Sequence, residues 1–149
     1  KLHARRAARP AQGCEPRRLV LVTHSMGGLV VRAWLRRLDP AARAAATLIT
    51  IGCPHSGSRL ATLGPGVAAR QMRIGSAWLK ELGPIPGPTP AVTCIGSSTD
   101  NFVAPQEGAW LPGGPGFAVA GVGHFGLLRA AATAEHVAAA CGSRPSASV

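Results

Sequence analysis

The sequence predicts an α/β fold built on a parallel sheet of about four strands with flanking helices. Four short apolar runs, each of strand length, occur at residues 19–22, 47–51, 91–95 and 117–122. Segments with helical spacing or long Gly- and Pro-rich crossovers separate these runs, and strands joined in this way pair in parallel. With 149 residues, 46% of them hydrophobic, the chain suits one domain with a buried core.

The first strand and the first helix surround a serine. Residues 1–18 are rich in Arg and Ala and predict the end of a helix followed by a loop. Residues 19–22 are typical of a strand that is buried on both faces. Helical spacing extends from Met26 to Leu38, and Pro40 is expected to end that helix. Two stripes are expected on it, Met26, Val30 and Trp34 on one and Arg32 and Arg36 on the other.

The remaining segments continue the alternation of strands and helices. The loop GCPHSGS follows the second run, and residues 67–82 are predicted to hold a helix. Residues 83–90, GPIPGPTP, predict a loop before the third strand. Residues 125–141 are rich in Ala and Leu and predict a closing helix. We therefore expect a single domain over residues 1–149, with residues 59–90 as a candidate lid or cap region.

The composition argues against several other classes of protein. The net charge of +10 comes from 16 basic residues, but only two are Lys, and six lie within the first 18 positions without interleaved aromatic residues. Solvated arginine-rich faces explain this charge more simply than a nucleic-acid surface does. No apolar run approaches the roughly 20 residues that span a bilayer. The four cysteines show no C-x-x-C spacing typical of zinc sites. We expect no nucleic-acid partner, transmembrane segment, metal or cofactor. No signal peptide is visible, and the sequence does not indicate the cellular compartment.

Ser25 lies in the stretch LVLVTHSMGGLVVRAW, which predicts a strand, a tight turn and a helix. A nucleophilic serine must project from the sheet on such a turn, which calls for small neighbours, here Gly27 and Gly28. The backbone N–H of Met26 would then point at the oxyanion, beside the positive end of the helix. The stretch resembles the G-H-S-M-G-G signature of α/β-hydrolase lipases and esterases, with Thr23 in place of the first Gly.

A second resemblance lies at residues 50–58, TIGCPHSGS. It is similar to the T-P-H-x-G-S stretch that lipase-like members carry after the next strand, with Cys53 replacing the usual Thr. We expect His55 to be structural rather than catalytic, while His24, His55 and Trp78 remain candidates for the border of the pocket. Several apolar residues of the lid region could line an acyl pocket, although core packing is the simpler explanation for each of them: Leu60, Leu63, Val67, Met72 and Trp78.

Asp100 and His124 are the expected partners of Ser25. Asp100 follows a predicted strand in GSSTDNFVAP, which is similar to the family's strand followed by D-x-x-V-x-P. An Asp that caps its own turn is the alternative, and Glu107 is the reserve candidate. His124, in VAGVGHFGLL, follows the last strand and resembles the family's terminal G-H-x-x-L segment. The order Ser, Asp, His is the α/β-hydrolase order.

The resemblance implies a carboxylic ester hydrolase with a Ser-His-Asp triad, an acyl-enzyme intermediate and a small ester or lipid substrate. It covers residues 19–128, the second half of a typical member, so we expect the C-terminal portion of the fold without its N-terminal strands. Residues 19–22 would then form an apolar edge, open to the missing half or another partner. With Met26 as its one oxyanion donor, the chain alone is expected to be poorly soluble and nearly inactive. The alternatives are an incompetent fragment, an interaction module, or an acyltransferase or thioesterase that uses the same triad.

Overall fold

The computed structural model describes residues 19–112 and 114–142. The lead-in expected at residues 1–18 lies outside these ranges. The strands are Val20–His24 (β1), Thr47–Ile51 (β2), Ala91–Gly96 (β3) and Gly116–Ala118 (β4). The helices are Gly27–Leu35 (α1), Pro40–Ala44 (α2), Gly66–Gln71 (α3), Ala77–Leu82 (α4) and Ala131–Gly142 (α5). Short 3-10 turns occupy Arg59–Thr62, Gln106–Ala109 and Gly126–Leu128.

All four strands belong to one parallel sheet in the order β1-β2-β3-β4, which confirms the predicted α/β class. The register of β1 against β2 runs from Val20 opposite Thr47 to His24 opposite Ile51. In a parallel sheet the carboxyl ends of the strands lie at one edge, where open α/β sheets bind their ligands. The loops that follow β1, β2, β3 and β4 therefore meet at a common edge of the molecule.

Helices cover both faces of the sheet. On one face α1 packs over a buried cluster of Leu35, Ala46 and Leu48. On the other face α5 packs over a second cluster that includes Ile49, Ile51, Ile95, Leu127 and Ala140. Burial on both faces explains why all five residues of β2 are apolar or Thr and all five are buried. Each fully buried Leu or Ile contributes roughly 1.5–3 kcal/mol to the hydrophobic stabilisation.

β1 differs from β2, and the expectation that its strand is buried on both faces is wrong. Leu19 is 41% exposed and Val22 is 49% exposed. Within the described residues β1 pairs only with β2, so its other edge is open. The expected apolar edge is therefore present.

The buried face of α1 differs from the two expected stripes. α1 buries Gly28, Leu29, Arg32 and Leu35, whereas Val30 of the expected apolar stripe is 45% exposed. Arg32, from the expected basic stripe, is thus a buried basic residue. Arg43 is also buried and donates to the carbonyls of Gly87 and Pro88. The prediction of solvated arginine faces fails for these two arginines, because main-chain carbonyls replace water around their guanidinium groups.

Several helices are shorter than predicted. α1 ends at Leu35, and Asp39 caps the separate helix α2 by accepting a hydrogen bond from the N–H of Ala42 (2.9 Å). The helix predicted at residues 67–82 is divided into α3 and α4, where Gly75 has a φ of 72°.

The C-terminal elements also differ in length from the prediction. β4 ends at Ala118, and the closing helix begins only at Ala131, after a 3-10 turn. No helix within the described ranges has the length and apolar character that crossing a bilayer requires.

Candidate active site

Ser25 occupies the tight turn between β1 and α1. Its φ of 53° is the only positive value at a non-glycine residue among those described. Such a backbone conformation costs about 1–3 kcal/mol and persists only where the surroundings hold it. The Ser25 N–H donates to the carbonyl of Ile51 (2.9 Å), and its own carbonyl accepts from the N–H of Gly28 (3.2 Å). These bonds fix the turn to the end of β2.

The two glycines after the turn are not equivalent. A Cβ at position 28 would lie 2.6 Å from the Cys53 Sγ and 3.2 Å from the Thr50 Cγ2. A Cβ at position 27 would meet only the Thr23 Cβ, at 3.8 Å. The close approach of α1 to the end of β2 therefore requires glycine at position 28, whereas position 27 has room for alanine.

Met26 is the N-cap residue of α1, directly after Ser25. Its backbone N–H has no hydrogen-bond acceptor within the described part of the chain. Unpaired N–H groups at the first turn of a helix are suited to binding a negative charge. The N–H of Met26 is therefore available to an anionic group formed next to Ser25.

Asp100 and His124 form a buried pair at the same edge of the sheet. The His124 Nδ1 lies 2.8 Å from the Asp100 Oδ2, and the two residues are 3% and 1% exposed. The other carboxylate oxygen of Asp100 accepts from the N–H groups of Phe102 (2.8 Å) and Val103 (3.0 Å). Because an ionised carboxylate only accepts, its contact assigns the proton of the neutral imidazole to Nδ1 and leaves Nε2 free to accept a proton.

The reserve carboxylate occupies a different environment. Glu107 lies in a 3-10 turn and is exposed. Of the two candidate carboxylates, Asp100 is the one that contacts His124.

Polar side chains tie the loop of His124 to its neighbours. Ser97 and Thr99 both donate to the carbonyl of Val122, at 2.6 and 2.8 Å. His24 places its Nε2 3.3 Å from the carbonyl oxygen of His124, and the two rings are 4.6 Å apart. His24 therefore borders His124 and does not line the pocket described next. Burial lowers the pKa of His24, so its ring stays neutral near neutral pH.

Gly52 is a site residue that the sequence analysis did not single out. It has a φ of 54°, and a Cβ there would lie 3.2 Å from both the Asp100 Oδ2 and the His124 Nδ1. In the sequence, Gly52 is only a glycine that follows a strand. Such glycines are common in turns, so its position gave little indication of a role in the site.

A pocket of about 330 Å³ opens beside Ser25 and His124. Its walls are mostly apolar, formed by Pro54, Leu60, Ala61, Leu63, Gly64, Ala69, Met72, Phe102 and Val103, with Ser58 as a polar member. Ser25 and His124 line this pocket together, although their side chains form no hydrogen bond in this structure. Hydrogen bonds between catalytic groups are often long without substrate.

The lid-region candidates divide into two groups. Leu60, Leu63 and Met72 line the pocket, whereas Val67 and Trp78 do not. Trp78 packs instead against the buried cluster formed by Leu29, Cys53 and Leu82. Val67, on α3, is instead 58% exposed.

His55, the third pocket candidate, is buried and does not line this pocket. Its Nε2 lies 3.1 Å from the Thr50 hydroxyl, and its carbonyl accepts from Arg32 (3.1 Å). Burial first, and then the positive charge of Arg32, lower the pKa of His55 to about 3. A neutral, enclosed imidazole of this kind suits the structural role expected for His55.

Arg32 holds three segments together. It donates to the carbonyls of His55 and Gly83, and its Nε is buried without a partner among the described residues. Burial also raises the pKa of Cys53, so this thiol stays protonated. Cys94 is buried, with 1% of its surface exposed. Within the described ranges, no cluster of His, Cys, Asp and Glu side chains is suited to hold a metal ion.

Comparison with known proteins gives one family. No curated protein matches the chain. Among solved structures, phospholipase PlaB from Legionella pneumophila aligns with 55% of this chain at 22% identity and a TM-score of 0.42. This chain covers only 23% of that protein, and so remote a likeness carries no argument about function. The model of the PGAP1-like alpha/beta domain matches residues 10–95. Because that match covers more than half of the chain, the chain belongs to the PGAP1-like alpha/beta domain family, in agreement with the expected relationship to α/β hydrolases.

Proposed function

We propose that this chain carries the catalytic centre of a serine hydrolase that cleaves carboxylic esters. Ser25 is the nucleophile, His124 the general base, and Asp100 the residue that orients the imidazole. The observation that carries the proposal is the buried 2.8 Å hydrogen bond between Asp100 and His124, together with the pocket that His124 shares with Ser25. Chain order supports the same assignment.

The chemistry follows from the protonation states. The Nδ1–H of His124 stays hydrogen-bonded to Asp100. His124 accepts the Ser25 hydroxyl proton at Nε2 while the Ser25 oxygen attacks the ester carbonyl. His124 then gives this proton to the departing alcohol, which leaves an acyl group on Ser25. Water, activated by the same imidazole, releases the acid. The carboxylate of Asp100 stabilises the imidazolium that forms twice in this cycle.

The Met26 N–H is the proposed oxyanion donor. It precedes the first turn of α1, so the helix dipole adds positive potential at the same point. One such donor typically changes turnover by about 100- to 1000-fold. Its position next to Ser25 in the chain, without another acceptor among the described residues, supports this role.

The substrate class is proposed from the pocket walls. The apolar side chains around Ser25 favour an ester whose acyl group is a hydrocarbon chain, because burying each CH₂ group stabilises the complex by about 0.8 kcal/mol. We therefore propose a lipase- or esterase-type activity. The same groups would serve a thioesterase, or an acyltransferase if an alcohol replaced water in the second step.

A fluorophosphonate probe tests the nucleophile. We expect Ser25 to be labelled, and Ser25→Ala to abolish the label. Ser58 provides a matched control, because it lines the same pocket but donates its hydroxyl to the Phe102 carbonyl (2.6 Å). Labelling should survive Ser58→Ala, and labelling that survived Ser25→Ala would refute the assignment.

A panel of p-nitrophenyl esters of increasing chain length then tests the substrate class. We expect kcat/KM to rise with acyl length while the chain fits the pocket. A panel of matched thioesters, and a second panel with an added alcohol acceptor, distinguishes hydrolysis of esters from the two related reactions.

The open edge of β1 supports a second candidate function, an interaction module that pairs with another strand. Leu19 and Val22 expose apolar side chains beside unpaired main-chain groups, the arrangement that recruits strands. If the edge pairs with another chain, Val22→Lys should reduce association measured by light scattering. Unchanged association would remove this candidate.

A further inference from the structure

Large apolar side chains are exposed around the opening of the pocket. We call Leu60, Leu63, Phe102 and Phe125 the mouth patch. Leu63 is 82% exposed, Phe125 64%, Phe102 43% and Leu60 37%. Leu60, Leu63 and Phe102 also line the pocket, so they have one side towards its interior and the other towards solvent. An apolar patch at the entrance of a pocket marks an interaction surface.

The mouth patch comes from three loops that are fastened to one another. Ser58 donates its hydroxyl to the carbonyl of Phe102, and the N–H of Arg59 donates to the carbonyl of Ala104 (2.7 Å). The rings of Phe102 and Phe125 meet edge to face at 5.3 Å. The loops that carry the four side chains are therefore held next to one another.

The segment that carries Leu60 and Leu63 has charged side chains of one sign. Residues 54–79 contain Arg59, Arg70 and Arg73 and no Asp or Glu. Arg59 directly precedes Leu60, and Arg70 directly follows Ala69, which lines the pocket. Both arginines are exposed, and neither forms an ion pair within the described residues. Glu107, in the 3-10 turn that follows Phe102 in the chain, is an exposed carboxylate of the opposite sign.

We propose that the mouth patch docks the protein on an anionic lipid surface. Leu63 and Phe125 enter the boundary between headgroups and acyl chains, and Arg59 and Arg70 bind the phosphates of the headgroups. An apolar centre with free guanidinium groups beside it matches the two layers that such a surface presents. This docking brings the pocket opening to the lipid, but it does not depend on the proposed hydrolysis.

Flotation of the full chain with lipid vesicles tests the proposal. The Ser25→Ala variant is used throughout, so that binding is measured independently of any turnover. We expect tighter binding to vesicles of phosphatidylcholine with phosphatidylglycerol than to phosphatidylcholine alone. Leu63→Ser and Phe125→Ser should each lower the partition coefficient about tenfold, the change that about 1.4 kcal/mol of lost apolar burial produces. Arg59→Ala and Arg70→Ala should each lower it about fivefold on the anionic vesicles only.

Val30→Ser and Arg37→Ala are the matched controls. Val30 lies on α1 and Arg37 lies two residues after its end, and both are exposed. We expect both variants to leave vesicle binding unchanged. Failure to bind the anionic vesicles would overturn the proposal, as would equal losses in Val30→Ser and Leu63→Ser. If Leu63→Ser instead disrupts an oligomer in the absence of lipid and leaves vesicle binding intact, the mouth patch is an interface between copies of the chain.

Discussion

Two buried histidines of this chain, His55 in the loop after β2 and His124 in the loop after β4, differ in the charge beside them. His124 is 3% exposed and contacts the carboxylate of Asp100. His55 is 5% exposed and contacts the guanidinium of Arg32, whose Nη1 lies 3.4 Å from its Nδ1. A carboxylate stabilises the protonated imidazole, and a cation destabilises it. Burial alone therefore does not distinguish the two rings, whereas the sign of the neighbouring charge favours His124 over His55 as the proposed base.

The surroundings strengthen the contrast. The His124 ring lines a pocket that also contains Ser25, so substrate can reach it. The His55 ring is enclosed by Thr50, Cys53 and Cys94, and its Nε2 is already engaged with the Thr50 hydroxyl. Of these two rings, only His124 combines access to the pocket with a favourable charge.

The largest expected effect comes from neutralising the carboxylate. In Asp100→Asn the amide can donate to the imidazole and favour the wrong tautomer, so we expect kcat for an ester substrate to fall by about four orders of magnitude. Glu107→Gln changes an exposed carboxylate and should stay near wild type. Steady-state rates of both variants, with circular dichroism to verify folding, check this. The reverse ranking would assign the role of Asp100 to Glu107.

The second effect is a pH dependence of stability that originates at His55. Its pKa falls from 6.5 to about 3 on folding, so between these values the unfolded chain binds a proton that the folded chain does not. Stability must therefore rise with pH across this window, and the contribution is lost as the pH falls from 6.5 towards 3. The slope is about 1.4 kcal/mol per pH unit. Urea titrations at several values from pH 7 down to pH 4 should show a shallower slope in His55→Gln, and equal slopes would contradict the assignment.

The third effect separates the two glycines of the turn. Gly28→Ala places a Cβ 2.6 Å from the Cys53 Sγ, next to the His55 cluster, and should destabilise the fold by about 1–3 kcal/mol. Gly27→Ala meets nothing closer than 3.8 Å and should remain within about 1 kcal/mol of wild type, on the stabilising side. Chemical denaturation of both variants measures the difference. Similar losses in both would mean that the turn itself, rather than the Cys53 contact, requires glycine.

The sequence predicted the sheet well because its signals are local. A continuous apolar run such as residues 47–51 is sufficient to identify a strand, and the structure has a strand at those residues. It does not reveal the burial of that strand, because the similar run at residues 19–22 forms the edge strand β1 with Leu19 and Val22 exposed. The bounds of helices were predicted less well. A helix over residues 67–82 has suitable spacing, but the division at Gly75 allows α3 to line the pocket wall and α4 to pack behind it. Tertiary packing of this kind leaves no periodic signal.

The site shows the same limit. Chain order and glycine-rich context led to Ser25, Asp100 and His124, and the structure places all three at one edge of the sheet. Sequence patterns could not find Gly52, because its importance lies in its distances to residues far along the chain. The buried state of Arg32 was missed for a related reason. Its partners are main-chain carbonyls, which the sequence does not distinguish.

The smallest expected effect concerns His24, which holds the proposed base in place. Its Nε2–H donates to the main-chain carbonyl of His124, and its ring lies against the imidazole at 4.6 Å. His24→Phe keeps an aromatic ring there but removes the donor, and a hydrogen bond of this type contributes about 1 kcal/mol, or roughly a fivefold change. We therefore expect kcat to fall about fivefold with KM unchanged. His136→Phe is the control, because that ring stacks on Phe117 at 4.1 Å, outside the pocket beside Ser25, and should not change kcat. If both variants have the wild-type kcat, the position of His124 is fixed by Asp100 and by the Ser97 and Thr99 bonds to Val122 without help from His24.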